Sequence, residues 1–268
     1  MRKIDSSFVT VVMAAFNEEK GIGLTLQELE HVLGNPHFLV VDGKSLDKTI
    51  EIAENFGAEV HIQSGRGKGQ AIYEALEQVK KDTKYVVLTD ADFTYPARHI
   101  PEMMEILENN PSVGMVVGNR FNDNFDVKRC MFNTFYFGNR LLAALHMIAN
   151  GINMKDPLSG LRVVRWNILR GWRPKSTNFD FEVELNLYTV KKGFRIVEVP
   201  IEYRHRIGEK KLRVRHGFII LKRIMAESYP SQISTSILKL FRERFRNGLA
   251  AYKTATRPSF SVKGGKGS

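Results

Sequence analysis

Short apolar runs alternate with helical patterns along the first third of the chain, and this alternation constrains the fold more than any other feature of the sequence. Residues 8–14, 38–41, 59–62 and 85–89 have the length and apolar content of β-strands. A helical pattern separates each run from the next. Strands joined by single helices form right-handed crossovers and therefore lie parallel. The sequence predicts an α/β fold with a Rossmann-like, doubly wound, mostly parallel sheet.

Polar loops follow each of these four predicted strands. They comprise residues 14–18, 42–45, 64–69 and 90–94. Ligands of doubly wound folds bind outside the carboxyl ends of the strands. We therefore expect the functional site at this edge of the sheet.

The second half of the chain contains a further strand pattern and two helical patterns. Residues 194–199 have the pattern of a late strand that Pro200 closes, and residues 218–225 and 233–249 have helical patterns. In the last of these, apolar residues share one face and basic residues lie largely on the other. The predicted parts of the chain are a single α/β domain, a basic amphipathic tail that associates with a membrane, and a flexible carboxyl terminus, over residues 1–212, 213–252 and 253–268 respectively.

The formal net charge of +11 is concentrated at the carboxyl end of the chain. From Lys210 onward, 14 basic residues accompany only Glu227 and Glu243, so the preceding residues carry a formal charge of −1. Such a tail suits an anionic membrane, a nucleic acid or an acidic protein. Charge alone does not choose among these partners.

The cysteine content and the apolar runs bear on the compartment. Cys130 is the only cysteine, which excludes an intramolecular disulfide and fits a reducing compartment. The amino-terminal residues have no signal-peptide pattern, and no apolar run approaches the roughly 20 residues that cross a bilayer. We expect a protein that lies on the cytoplasmic face of a membrane and does not span it.

The acidic pair in Asp90-Ala91-Asp92 follows directly after the apolar run 85–89. Residues two apart in extended backbone project to the same side, so both carboxylates can face one point at the strand end. Hard oxygen ligands of this kind suit Mg²⁺ or Mn²⁺ held jointly by a protein and a diphosphate. An isolated pair of this type is more often a solvated acidic turn, but its position after a buried parallel strand favours a metal site.

The other strand-end loops carry residues that suit a nucleotide. Asp42 can accept hydrogen bonds from a base or ribose, and Phe16 is suited either to stack on a base or to pack internally. Lys68 lies in the glycine-rich run 65–69, which can bring NH groups and a cation to a phosphate. That run lacks the spacing of a Walker loop, and residues 14–18 lack a Gly-x-Gly-x-x-Gly turn. A kinase, an ATPase and a dehydrogenase are therefore disfavoured.

In their order and spacing, these segments resemble the family 2 glycosyltransferases of the dolichyl-phosphate mannose synthase and dolichyl-phosphate glucose synthase type. The resemblance covers about residues 9–212 and implies the GT-A fold, with carboxyl-terminal interfacial helices. The segments that carry it are Ala14-Ala15-Phe16-Asn17-Glu18, Val41-Asp42-Gly43-Lys44-Ser45-Leu46-Asp47-Lys48-Thr49, Gly67-Lys68-Gly69, Asp90-Ala91-Asp92, Gly118-Asn119-Arg120, Asp156-Pro157-Leu158-Ser159-Gly160-Leu161-Arg162, Phe181-Glu182, Glu198-Val199-Pro200 and Arg206-Ile207-Gly208-Glu209-Lys210-Lys211-Leu212.

The resemblance implies roles for several groups of residues. Nucleotide contacts are implied for Ala14, Phe16, Glu18, Asp42, Gly43, Lys68, Asp90, Ala91 and Asp92. Metal binding, with Mg²⁺ or Mn²⁺ as the cofactor, is implied for Asp90, Asp92 and Thr94. Contacts to donor or acceptor phosphate are implied for Arg120, Ser159, Arg206 and Lys211. The implied catalytic residues are Asp92, Arg120 and Arg206, although either arginine would, outside this context, more often form a surface ion pair.

Three residues depart from the pattern of the family. Ala14 replaces the usual proline, and Gly43 replaces a frequent second aspartate. Thr94 stands where the mannose enzymes commonly have a glutamine that helps to hold the metal. These departures disfavour GDP-mannose as the donor and make the chain more similar to the glucose or N-acetylglucosamine relatives.

The resemblance implies an inverting transfer of sugar from a UDP- or GDP-sugar to dolichyl or another polyprenyl phosphate, giving a lipid-linked sugar for glycosylation. A phosphate acceptor is anionic at neutral pH and needs little general base. One alternative is a family 2 transferase that acts on a protein or polysaccharide, with Asp180 or Glu182 as the base. Another is a non-catalytic partner that binds nucleotide sugar. We expect no nucleic acid partner, and a membrane-anchored partner or a homo-oligomer stays open.

Residues 130–152 are rich in aromatic and long aliphatic side chains. Together with the helix after Arg215, they suit an interfacial surface that gives access to lipid. Ordinary core and a dimer interface are the alternatives. The basic tail favours the membrane.

Overall fold

The computed structural model describes residues 6–121, 134–209, 211 and 214–227. All of them belong to one compact unit, Met1–Glu227. Most of the predicted amphipathic tail, the predicted flexible terminus and residues 130–133 of the apolar segment lie outside the described residues. The domain boundary at residue 212 stays a prediction.

Seven strands form one sheet in the described part of the chain. In chain order they are β1 (Val9–Ala15), β2 (His37–Asp42), β3 (Glu59–Ile62), β4 (Tyr85–Asp90), β5 (Val113–Asn119), β6 (Arg162–Arg165) and β7 (Arg195–Pro200). Their order across the sheet is β3-β2-β1-β4-β6-β5-β7. β6 runs antiparallel to β4 and β5, and the other neighbours are parallel. The predicted mostly parallel α/β sheet is confirmed, although the sequence patterns did not reveal β5 and β6.

Helices connect most of these strands. The helices within the described ranges are α1 (Ile22–Leu33), α2 (Thr49–Asn55), α3 (Lys68–Gln78), α4 (Ile100–Asn109), α5 (Thr134–Asn150), α6 (Trp166–Leu169), α7 (Phe181–Lys191) and α8 (Val214–Ala226). α8 contains the helix predicted at residues 218–225. None of these helices combines the length and the apolar content that crossing a bilayer requires.

Helices cover both faces of the sheet, which explains why its central strands are apolar without alternation. In β1, Val11 and Met13 pack in the layer that contains α1 and α4, whereas Val12 packs in the layer that contains α3 and α7. All three side chains are fully buried. The core thus fixes the strand from which the first polar loop emerges.

α8 packs against α5 with one face only. Ile220 and Ile224 are buried in the same cluster as Leu142 of α5. Phe218 and Ile219 of α8 are exposed. The helix after Arg215 therefore packs against α5 and still presents apolar side chains to its surroundings.

The register of the parallel strands brings three of the predicted loops to one edge. Ala14 of β1 pairs with Asp90 of β4, and Ala15 pairs with Asp42 of β2. Because these strands run in the same direction, the loops that follow them lie side by side. The predicted carboxyl-end position of the site therefore brings residues from distant parts of the chain together.

Candidate active site

The Asp90-Ala91-Asp92 pair lies where β4 ends. Asp92 is buried, and its Oδ1 accepts hydrogen bonds from the backbone nitrogen of Thr94 at 3.1 Å and from the Thr94 hydroxyl at 2.6 Å. The side chain of Asp90 is 28% exposed, so this carboxylate is open to a ligand on one side. Thr94 thus orients Asp92, while Asp90 stays partly exposed.

Lys68, the first residue of α3, neutralises Asp90. Its Nζ donates to Asp90 Oδ1 at 2.6 Å and to Oε1 of the buried Glu182 at 3.1 Å. Burial alone would lower the pKa of Lys68, but the charges of the two carboxylates outweigh it and raise that pKa. Burial would likewise raise the pKa of Asp90, and the nearby Lys68 ammonium instead holds it below its usual value. Lys68 and Asp90 are therefore a charged pair.

The glycine-rich loop before α3 brings Lys68 to this position. Gly67 has φ of 93°, a conformation that other residues rarely adopt, and a Cβ there would overlap the carbonyl oxygen of Thr177. Glu74 of α3 closes the start of the loop, because its carboxylate accepts from the nitrogen of Ser64 at 2.8 Å and from that of Gly65 at 3.2 Å. The glycines thus serve close backbone packing as well as any contact to phosphate.

Two cations from the segment after β7 neutralise Asp92 and Glu18. The guanidinium of Arg206 donates to Asp92 Oδ2 and to Glu18 Oε1, and Lys211 Nζ lies 2.6 Å from the same Glu18 oxygen. Burial raises the pKa of Glu18 in spite of these two cations. Burial and the charge of Asp90 also raise the pKa of Asp92. Desolvation therefore makes both carboxylates stronger proton acceptors than free side chains.

The predicted nucleoside contacts lie beside this cluster, between the ends of β1 and β2. Asp42 is fully buried and accepts from the nitrogen of Ser45 at 2.7 Å and from its hydroxyl at 2.6 Å. Phe16 is 45% exposed, and Lys211 Nζ lies 5.7 Å from the centre of its ring. Gly43 adjoins Phe16, since a Cβ on this glycine would lie 3.3 Å from that of Phe16. The exposed ring offers a surface on which a base can stack.

Arg120 lies on the other side of Asp90 and is bound to an acid that the sequence interpretation did not single out. Its Nε donates to Asp156 Oδ2 at 2.7 Å and its Nη2 to Asp156 Oδ1 at 2.8 Å. Glu198 holds the backbone of Asp156 by accepting its NH at 2.7 Å. The charge of Arg120 still reaches Asp90 and contributes to the lowered pKa of that carboxyl.

Ser159 is fully buried in the loop between Asp156 and β6, and its hydroxyl has no hydrogen-bond partner within the described residues. Arg162, itself fully buried, donates to the carbonyl oxygens of Ser159 at 2.8 Å and of Pro157 at 2.7 Å. The loop lies close against Asp90, since a Cβ at Gly160 would lie 2.8 Å from Asp90 Oδ2. Arg162 thereby fixes the backbone that adjoins Asp90.

The structure thus brings the predicted residues Glu18, Lys68, Asp90, Asp92, Thr94, Arg206 and Lys211 into one cluster. Phe16, Asp42 and Gly43 adjoin it on one side. Arg120 and Ser159 lie on the other side and do not contact Asp92 directly in any described hydrogen bond. Asp156 and Glu182 were missed as partners of Arg120 and Lys68, although both lie in segments that carry the family resemblance.

The donor atoms of the cluster fit a divalent cation that a ligand also coordinates. Four carboxylates face three cations there, and Oε2 of Glu18, although buried, has no hydrogen-bond partner in the described ranges. Carboxylate oxygens are the ligands that Mg²⁺ and Mn²⁺ prefer. No group of three His, Cys, Asp or Glu side chains among the described residues is arranged to hold a metal by itself. The remaining ligands would have to come from elsewhere, as from a diphosphate.

Comparison with known proteins gives matches in sequence and in fold. The sequence model of glycosyl transferase family 2 matches residues 10–171. The chain is 32% identical over 207 residues to the dolichyl-phosphate hexose transferase of Haloferax volcanii, covering 76% of this chain and 86% of that protein. It is 26% identical over 220 residues to the undecaprenyl-phosphate mannosyltransferase of Micrococcus luteus, covering 76% and 87%.

Among solved structures, the fold is similar to that of glucosyl-3-phosphoglycerate synthase from Mycobacterium tuberculosis in complex with Mn²⁺, UDP and glucosyl-3-phosphoglycerate. The TM-score is 0.63 at 20% identity, and the match covers 81% of this chain and 78% of the synthase. At this identity the likeness concerns the fold. It agrees with the GT-A architecture that the resemblance implies.

Proposed function

Because this chain belongs to glycosyl transferase family 2 and is a glycosyltransferase, we propose that it transfers a hexose from a UDP- or GDP-sugar to a polyprenyl phosphate such as dolichyl phosphate. The observation that carries the proposal is the cluster of paired acids and cations at the ends of β1 and β4. The relatives that act on dolichyl and undecaprenyl phosphate support the acceptor class.

The cluster suits the departure of a nucleoside diphosphate. The leaving diphosphate gains negative charge in the transition state, so cations fixed nearby stabilise it more than they stabilise the bound donor. Arg206 and Lys211 would supply donors to its oxygens, and Lys68 holds Asp90 ionised. A divalent ion held by Asp90 and Asp92, with Thr94 orienting Asp92, would neutralise further charge on the diphosphate. Attack opposite to the leaving group inverts the anomeric carbon.

The environment of the two candidate bases favours a phosphate acceptor over a hydroxyl of a protein or polysaccharide. Oδ2 of Asp180 accepts from Nε of Arg223 at 2.9 Å, and Glu182 is bound to Lys68 in the interior. Both carboxylates are buried and already bind a cation, an arrangement that suits structural pairing better than removal of a proton from an acceptor hydroxyl. A phosphate oxygen is anionic at neutral pH and needs no such base.

An apolar groove along α5 suits the hydrocarbon part of the acceptor. It encloses about 390 Å³ between α5 and the following loop, and its lining includes Phe137, Leu141 and Met147, each at least 43% exposed. Lys155 also lines the groove and directly precedes Asp156, the partner of Arg120. A cation at this end fits an acceptor with an anionic head and an apolar chain.

Peripheral binding to the cytoplasmic face of a membrane is part of the proposal. α5 presents an exposed apolar stripe, and α8 presents the exposed Phe218 and Ile219 near the exposed Lys222. Both have the composition of interfacial helices. The donor sugar is proposed to be glucose or N-acetylglucosamine, because Gly43 replaces the second aspartate that is frequent in the family and Thr94 replaces the glutamine that is common in the mannose enzymes.

The proposal is tested by transfer assays on the purified full chain with short polyprenyl phosphates, labelled UDP- and GDP-sugars, and Mg²⁺ or Mn²⁺. Asp92→Asn is expected to lower transfer by about 1,000-fold, because it removes charge from the metal site. Asp82→Asn makes the same change at an exposed position away from the site and should leave transfer unaltered. Undiminished transfer by Asp92→Asn, or transfer to sugar hydroxyls and never to the lipid phosphate, would contradict the proposal.

A further inference from the structure

Residues 204–209 and Lys211, together named the latch segment, follow β7 and lie against Asp92 and Thr94. Arg204 donates from its backbone nitrogen to the carbonyl oxygen of Thr94 at 3.0 Å, and Ile207 donates to that of Asp92 at 3.3 Å. The guanidinium of Arg204 also binds both carboxylate oxygens of Glu28 on α1, at 2.6 and 2.7 Å. The segment is therefore attached to the body on either side of Arg206.

Arg206 occupies the oxygen that a metal ion would need. Oδ1 of Asp92 is already bound twice by Thr94, and Oδ2 accepts from Arg206. The same guanidinium bridges to Glu18, whose second oxygen is buried without a partner in the described part of the chain. A guanidinium and a divalent cation repel each other and compete for the same lone pairs.

We propose that Arg206 acts as an internal cation that occupies Asp92 and Glu18 until metal and donor arrive together. This inference rests on the proposed function. A metal ion alone must displace Arg206 from two buried carboxylates and leave the guanidinium without a partner. A metal ion that arrives with a diphosphate offers Arg206 and Lys211 phosphate oxygens in exchange.

The consequence is a coupling between the two ligands. Displacement of Arg206 weakens the binding of metal alone, and the diphosphate removes that cost, so each ligand raises the affinity of the other by the same factor. Coordination of the phosphates by the metal would also couple the ligands. The two causes differ in one respect, because only the displacement of Arg206 predicts that removing this arginine strengthens the binding of metal alone.

The test is a titration of the full chain with Mn²⁺ alone, followed by the electron paramagnetic resonance signal of free Mn²⁺. Arg206→Gln is expected to bind Mn²⁺ about tenfold more tightly than the wild type in the absence of nucleotide. Addition of UDP or GDP should raise the Mn²⁺ affinity of this variant by a smaller factor than it raises that of the wild type. Arg206→Lys keeps the charge but cannot bridge both acids with one planar group. Its Mn²⁺ affinity without nucleotide should therefore lie between those of the wild type and Arg206→Gln.

Arg204→Gln is the matched control. It removes the same charge from the same segment and disrupts the bond to Glu28, while Arg206 keeps its bond to Asp92, so Mn²⁺ affinity should change less than about threefold. Equal tightening in both variants would assign the effect to net charge and overturn the inference. The inference would also be overturned if Arg206→Gln and Arg206→Lys bound Mn²⁺ no more tightly than the wild type while their circular dichroism spectra matched the wild-type spectrum.

The nucleotide titration separates this inference from the proposed function. Nucleotide binding by the wild type, together with an unaltered response to metal in the Arg206 variants, would overturn only the role of the latch segment. A wild type that binds neither UDP nor GDP at any Mn²⁺ concentration would instead contradict the proposed function, and the inference with it.

Discussion

The two halves of the acidic pair are neutralised in different ways. Asp90 is paired with Lys68, which starts a helix of the core and is also bound to Glu182 of a second core helix. Asp92 is paired with Arg206, which lies in a segment without regular secondary structure. The first pairing belongs to the framework of the fold, whereas the second joins Asp92 to a segment outside the helices and strands.

The difference indicates which part of the site the fold fixes before a ligand binds. The side chain of Lys68 is 15% exposed and lies between two carboxylates, so its removal would leave two acids without their cation in the interior. The side chain of Arg206 is 25% exposed, and Lys211 shares Glu18 with it. Loss of one cation is therefore better tolerated on the Asp92 side.

Among the changes that test the difference between Asp90 and Asp92, replacement of Lys68 by methionine should have the largest effect. The change leaves the carboxylates of Asp90 and Glu182 partly buried without their cation, so the free energy of unfolding should fall by about 3 kcal/mol. Denaturant unfolding of the ligand-free chain at neutral pH measures it. Lys211→Met is the matched control and should cost less than about 1 kcal/mol, because Arg206 still binds Glu18. Equal losses in the two variants would remove the distinction between the halves.

Addition of one methyl group at Gly160 should disturb the Asp90 half alone. The Cβ of alanine would lie 2.8 Å from Asp90 Oδ2 and would push the carboxylate out of its present position. Displacement of a group in an active site by about an ångström lowers the reaction rate. We expect the rate of sugar transfer to fall by between about 10-fold and 100-fold. Gly217→Ala in α8, where nothing lies within 4 Å of the new methyl group, should leave the transfer rate unchanged. A fully active Gly160→Ala enzyme would show that the position of Asp90 is not critical.

The smallest expected effect concerns Glu74, which holds the loop that carries Lys68. Burial would raise the pKa of Glu74, but hydrogen bonds from Ser64 and neighbouring groups lower it from 4.5 to about 2. A carboxyl whose pKa is lowered on folding adds stability above its unfolded pKa and loses it as the pH falls toward the folded value. Glu74→Gln should therefore cost about 2 kcal/mol at pH 7, and the difference from wild type should shrink between pH 4.5 and 2.

Glu77→Gln provides the control for this pH dependence. Glu77 lies one turn further along α3, is exposed and bonds only the hydroxyl of Tyr73 among the described hydrogen bonds. Its replacement removes the same charge and should change the unfolding free energy by less than about 0.5 kcal/mol at any pH. A Glu74→Gln difference that stays constant on acidification would show that the loop is not held by the ionised carboxylate.

Local patterns predicted the framework of the fold well. The runs that become β1, β2, β3 and β4 were recognisable because buried parallel strands are apolar on both faces and helices separate them. β5 and β6 were not recognised, and β6 lies between β4 and β5 although residues 91–161 separate it from β4 in sequence. Strand order of this kind depends on long-range packing, which no local period encodes.

The sequence alone determined which loops meet, because parallel strands that are joined by helices present their carboxyl ends at one edge. It therefore located Asp42, Asp90 and Asp92 at a common site. Only the tertiary structure decided which cations pair with which acids around this site: Lys68 with Glu182, Arg206 with Asp92, and Arg120 with Asp156. The first two pairs are each 114 residues apart, and they form because burial in a shared cleft makes an uncompensated charge costly, a condition that exists only once the chain has folded.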